Sequence, residues 1–443
     1  MASLVTDDTV GGMEVEFEED IVPHDTPCTA DVIDIDFSPK TNIYAAGLIN
    51  GTVEFYQYSS GMQATCVTTL QHHTQSCRNV RFCSNSNNIL YTTSLDKTIS
   101  AIDVNKATQN SNNNNNNSND SIMWSKSDAH GSNTAVNVML PIEPNVFASG
   151  DDEGNIKIWD IRQSNPIVEF GDQEDYVGDM AVSKDLSRLY SAGGDGTLAV
   201  YNLKQRKLKK KSECMEDELL SIEIMKNGKK IVTGTQGGVL NIFNQNEYED
   251  ISDRFPGHPE SVQSIVKIDE DTLLTGSSDG LIRIINILPN KLIGIVGEHD
   301  EEFPVERICR SYDNNLIASI SHDNVVKFWD ISYLQEDEED LSSAMALDNV
   351  DSLAQQEELG EQGSSSSSSN NNSTGMMMDG SGVNPMKLSN TGYSYKAFDR
   401  NGIPMTKKNK NENDNKKNDK KMSSDNKKRK NNDEEEDDFF SDL

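Results

Sequence analysis

Residues 191–202 read SAGGDGTLAVYN, and this stretch decides the fold. Small and hydroxyl-bearing residues lead into Asp195-Gly196, a pair that tolerates the positive φ of a tight hairpin turn. A short alternating strand follows. The pattern recurs as AAGLINGTVEFYQ (45–57), TTSLDKTISAID (92–103), ASGDDEGNIKIWD (148–160), TGTQGGVLNIFN (233–244), TGSSDGLIRIIN (275–286) and ASISHDNVVKFWD (318–330). Aligned on the second turn residue, the seven copies are anchored at Gly51, Lys97, Gly154, Gly196, Gly238, Gly280 and Asn324. Their separations are 46, 57, 42, 42, 42 and 44 residues. The long interval contains an Asn-rich stretch, Gln109 to Asp120, which reads as a loop insertion (107–122) that leaves the period intact. A period near 42 has room for four short strands and their turns, which is one blade of a β-propeller. The sequence therefore predicts an all-β, seven-bladed propeller over residues 12–334. Further strand signals lie upstream of most copies, at Val32 to Phe37, Val80 to Phe82, Ala135 to Leu140, Leu219 to Ile224 and Val262 to Val266.

Outside the repeats the composition changes. Hydrophobic residues make up only 34% of the 443 residues, and Asn, Ser, Lys, Asp and Glu dominate 107–122 and most of 335–443. Formal net charge is −33. From Gln335 onward there are 23 acidic and 14 basic residues, which leaves 50 acidic against 26 basic in the first 334. A repeat region this acidic repels nucleic acid and anionic membranes, so such contacts must come from a local basic segment. The six cysteines are scattered without a CxxC pair, which points to a reducing compartment. Residues 1–11 read as a flexible N-terminus without the basic start and apolar core of a signal peptide. Leu281 to Leu288, the most apolar run, contains Arg283 and is too short to span a bilayer. No membrane contact is expected.

Two copies end in Trp159-Asp160 and Trp329-Asp330, and His130, His258 and His299 precede the third, sixth and seventh. On these residues the chain resembles the WD repeat family. The resemblance implies that a turn His, a strand Ser or Thr, a turn Asp and the Trp form a hydrogen-bonded network in each blade. By position, the seventh blade supplies His299, Ser319, Asp323 and Trp329. The third supplies His130, Ser149 and Trp159, with Glu153 where Asp is expected. Tyr56, Ile102, Tyr201, Phe243 and Ile285 replace the Trp elsewhere, so apolar packing must carry those blades. An open sheet edge is an aggregation hazard. The alternating segment Glu14-Val15-Glu16-Phe17-Glu18 is expected to close the ring as the outer strand of the last blade, the alternative being a frayed acidic end.

Patterns that carry chemistry find bland explanations. Neighbours on a strand point to opposite faces, so His72-His73 is not expected to chelate one metal. Cys77 and Cys83 lie close by, but their spacing matches no zinc pattern. Gly193-Gly194-Asp195-Gly196 and Gly234 to Gly238 precede strands, whereas a phosphate loop needs a following helix. Asp151-Asp152-Glu153 and Asp269 to Asp271 read as solvated turns. No catalytic residue, metal or cofactor is expected. Trp159-Asp160-Ile161-Arg162 is similar to the Trp-Asp-x-Arg of WD proteins that act as substrate receptors of cullin-based ubiquitin ligases. That resemblance makes Trp159, Asp160 and Arg162 candidate adaptor contacts, although Trp-Asp also simply ends a blade.

Residues 335–443 cannot bury enough apolar surface to offset their ordering entropy and are expected to be a disordered, charged tail. Residues 407–430 hold eleven Lys or Arg against four acids and end in Lys427-Lys428-Arg429-Lys430, a block suited to nuclear targeting or RNA phosphates. The acidic end 433–443 closes with Phe439-Phe440-Ser441-Asp442-Leu443, in which Phe439, Phe440 and Leu443 read as a short docking motif. Seven degenerate repeats with this tail resemble the WD repeat-containing protein 55 family. That resemblance implies a non-catalytic scaffold in the nucleus and nucleolus (the cytoplasm being the alternative), acting in ribosomal RNA processing and ribosome assembly. Pre-ribosomal proteins are the expected partners, with RNA contact through the basic tail and a ligase adaptor as the alternative.

Overall fold

Each turn of the repeat sits between the second and third strands of a four-stranded antiparallel meander, to which blade six adds a fifth, parallel strand. The computed structural model describes residues 22–84, 88–110, 118–299 and 303–335, together with the backbone of 396–397. Within these residues the strands form seven sheets, one per repeat, and the molecule is a seven-bladed β-propeller. Blade one runs Val32–Phe37, Ile43–Leu48, Thr52–Gln57, Thr65–Gln71 from inside to outside. Inner strands also occur where no sequence signal was read, at Val177–Val182 in blade four and Arg307–Arg310 in blade seven.

The turn anchors show why the copies look alike. Gly51, Gly154, Gly196, Gly238 and Gly280 have φ between 70° and 84°, and Lys97 has φ 69°. At Gly154 a Cβ would also lie 2.6 Å from the carbonyl oxygens of Gln173 and Asp175, in the loop that enters the next blade. Glycine there serves both the left-handed backbone and the contact between blades.

Both faces of every sheet are interfaces between blades. Ile156 and Ile158 pack with Val177, Met180 and Leu189 of blade four. Trp159 packs with Tyr91, Ile99 and Ala101 of blade two. Seven apolar clusters fill the seven junctions in this way, the last joining Ile35, Phe37 and Tyr44 of blade one to Ala318, Val326 and Phe328 of blade seven. Each fully buried aliphatic or aromatic side chain contributes about 1.5–3 kcal/mol. Such packing is the main stabilising term in blades without the Trp.

The ring closes through Thr26–Pro27, which pair with Val326 and Val325 as the outer strand of blade seven. The Cys28 amide donates to Asn324 O at 2.7 Å, and the Asn324 side chain donates to Cys28 O at 3.3 Å. The place expected for Glu14-Val15-Glu16-Phe17-Glu18 is thus taken by a later segment, and residues 14–18 lie outside the described residues. The Asn-rich insertion also begins differently from the loop expected. Val104–Asn110 is a helix, and its Val104 and Ala107 are buried against the junction of blades one and two. The outer strand of blade two then starts at Ile122, inside the stretch read as insertion.

Candidate functional site

The inner strands build the axis of the ring, and in six blades their pairing slips by one residue near the start. The slips fall between Val32/Asp34, Cys77/Asn79, Val136/Val138, Val177/Asp179, Leu219/Ser221 and Val262/Ser264. A bulge leaves one residue unpaired and re-aims it. The six skipped residues, Ile33, Arg78, Asn137, Gly178, Leu220 and Gln263, all line an axial cavity of about 440 Å³. Here Arg78 donates to Asn137 Oδ1 at 2.9 Å, and Tyr176 donates to Glu218 Oε2 at 2.8 Å. A second cavity of about 680 Å³ is lined by later inner-strand residues such as Met139, Ala181, Ile224 and Lys267.

An innermost strand has one edge without a ladder partner, and its amides need acceptors. The preceding blade supplies them from side chains. Asp34 accepts from Val80 N (2.8 Å), Asp36 from Phe82 N (2.7 Å), Asn79 from Met139 N (2.6 Å), Asp179 from Ile222 N (3.3 Å) and Ser264 from Ile308 N (3.1 Å). Asp34 also pairs with Arg81, and Arg307 Nε lies 3.7 Å from its other oxygen. Enclosure by protein raises the Asp36 carboxyl to about 6, although the Arg81 charge opposes this. Enclosure likewise raises Glu223 to about 7, against an amide bond from Ile224. Three acids, one amide and one hydroxyl thus order neighbouring blades.

On the turn side, blade three assembles the full network. His130 Nδ1 is 2.9 Å from Asp151 Oδ2, its Nε2 is 2.6 Å from Ser149 Oγ, and Trp159 Nε1 donates to Ser149 Oγ at 2.8 Å. The acid is Asp151, two positions before Glu153, where the sequence reading looked for it. In blade seven His299 and Trp329 both meet Ser319, each at 2.7 Å. Asp323 instead accepts from Val325 N within its own turn, so it does not reach His299. Blade two uses His73 with Thr92, Thr98 and Asp96. Blade four puts Gln173 in the His position, accepting from Ser191 Oγ at 2.6 Å. Neither was picked out in the sequence, because His73 was read as part of a strand and Gln173 is not a His.

A family model described as WDR55 matches residues 23–334, a range that contains all seven blades. The chain belongs to the WD repeat-containing protein 55 family. WD repeat-containing protein 55 of Arabidopsis thaliana is 39% identical over 308 residues, covering 69% of this chain and 82% of that protein. The Homo sapiens protein of that name is 35% identical, covering 71% and 78%. The Dictyostelium discoideum homolog is 34% identical, covering 73% and 74%. The family assignment thus rests on the ring, and the family model's match ends at residue 334.

The remaining sequence-derived candidates fall in three places. His72 and His73 follow the outer strand Thr65–Gln71 instead of belonging to it, so the alternation argument does not apply to them. Their rings lie 4.1 Å apart, and both Nε2 atoms are within 3.0 Å of Thr92 Oγ1. Among the described residues no group of three or more His, Cys, Asp or Glu is placed to hold a metal ion. Trp159 is buried, while Arg162 is 68% exposed in its side chain and forks onto Asp160 at 2.8 and 2.6 Å. Lys427, Lys428, Arg429, Lys430, Phe439, Phe440 and Leu443 lie outside the described residues. No helix among the described residues is long and apolar enough to cross a membrane.

Proposed function

We propose that this WD repeat protein is a non-catalytic scaffold of the nucleolus, serving ribosomal RNA processing and ribosome assembly. Its ring holds pre-ribosomal proteins, and its basic tail addresses the chain and touches RNA. The scaffold reading is carried by the axial carboxylates. Asp34, Asp36 and Asp179 each accept an amide of the next blade, so these acids order the ring. The loops and the mouth lined by Arg78, Asn137 and Gln263 are left as contact surface. The nucleolar reading is supported by family membership together with the basic block of residues 407–430. Deleting 407–430 abolishes nucleolar accumulation and leaves the thermal midpoint of the ring unchanged. An unaltered distribution of the deleted chain rules the targeting role out.

One observation favours a second reading, a substrate receptor of a cullin-based ubiquitin ligase. The exposed Arg162 is held by the buried Asp160 in a fixed fork, which suits a contact with an adaptor. On this reading Arg162→Ala removes the adaptor from purified complexes without unfolding the ring. Complexes of the natural chain that contain no adaptor exclude it.

A further inference from the structure

The outer strands of the seven blades differ in how they protect their free edges. Blade four ends in KLKKK (207–211), blade five in DRFP (253–256), blade two in IMWSK (122–126) and blade three in VEF (168–170). Charge and proline on an edge discourage further pairing. Blade one has the Thr-rich TCVTTLQ (65–71), and blade seven a two-residue strand. Blade six ends in KLIGIVGE (291–298), whose charges sit only at its two ends. Within this eight-residue strand Ile293 is 41% exposed. An outer strand this long, with an uncharged apolar centre, is a template for strand addition.

A fifth strand lies on that edge. Lys396 and Ala397 pair in parallel with Gly294 and Ile295. In sequence they sit within Tyr393-Ser394-Tyr395-Lys396-Ala397-Phe398, an aromatic-rich island in a region of Ser, Asn and Lys. We propose that the outer edge of blade six is a strand-addition site whose occupant is the chain's own segment around Lys396–Ala397. Parallel pairing needs a connection of a dozen or more residues, and about 60 separate Gln335 from Lys396. A tether of that length holds the segment at an effective concentration on the order of a millimolar, so a weak two-residue pairing suffices. Bound there, the segment covers an edge whose centre carries no charge or proline, and ties residues beyond the WD repeats to one blade.

Hydrogen exchange on the full chain tests this. Proline donates no amide and is excluded from ladders, so Lys396→Pro with Ala397→Pro should raise exchange about tenfold across 293–297 and leave the other outer strands unchanged. A synthetic peptide of residues 390–401, added at millimolar concentration, should restore protection. Exchange at 293–297 that is the same in both chains overturns the proposal. So does a peptide without effect, or protection in the natural chain that falls on dilution, which would make a second copy the occupant.

Discussion

Lys97 occupies a turn position where five other blades have glycine, with φ 69°. A non-glycine residue in the left-handed region costs on the order of 1 kcal/mol. Its ammonium recovers part of that cost by donating to Ser132 O. Lys97→Gly is therefore expected to stabilise the ring by about 0.5–1 kcal/mol, measured as a higher urea midpoint at unchanged slope. Two of the turn histidines, His258 and His299, contribute to the response to acid. Burial, with Lys327 adding to it, lowers His299 to about 3, and burial with Arg283 lowers His258 to about 4. A base whose folded pKa is depressed leaves the unfolded chain binding more protons below the ordinary value of 6.5. Its stabilising contribution is therefore complete above pH 6.5 and is lost as pH falls toward the folded value. Blade four shows that Gln can accept from the strand serine. His299→Gln should therefore fold at pH 7.5, and it should lose about 2 kcal/mol less than the natural chain between pH 7 and pH 5. An equal loss in both chains would show that His299 is not buried neutral.

Strands and their edges explain what could and could not be read in the sequence. The second and third strands of each blade were legible because a turn of fixed chemistry joins them. The acids of VIDIDF (32–37) looked like an ordinary polar face of an alternating strand. Their partners, Val80, Arg81 and Phe82, lie about one repeat further on, and no local pattern announces them. The bulges that aim Arg78 and Gln263 at the axis are equally silent in a period of two. His72-His73 was misread because the strand ends one residue earlier, and Asp151 was missed because the acid reaches His130 from the strand instead of the turn. Asp34 is the sharpest test at this scale. It is 3% exposed and serves both an amide and a buried guanidinium. Asp34→Ala removes the carboxylate paired with the buried Arg81 and should cost about 3–5 kcal/mol in denaturant unfolding. Asp34→Asn keeps an acceptor for Val80 N and should cost less. Equal costs would mean that the hydrogen bond to Val80 N contributes nothing beyond the ion pair.

For the whole molecule, the number of blades follows from the period, while the way the ring closes does not. Thr26–Pro27 is two residues long and has no alternation to betray it, and it acts through Val325, Val326 and Asn324 about 300 positions away. The function sketched for the ring requires this closure, because an open blade seven would expose the apolar cluster shared by blades one and seven. A chain lacking residues 1–28 is expected to melt on the order of 5–10 °C lower and to self-associate in sedimentation. A density map of the intact protein tests the central claim most directly. The account predicts seven blades around one axis, each built on a four-stranded meander, with Thr26–Pro27 seated on Val325–Val326. A ring of six or eight blades, or a blade seven whose outer place is empty or filled by another segment, would contradict it.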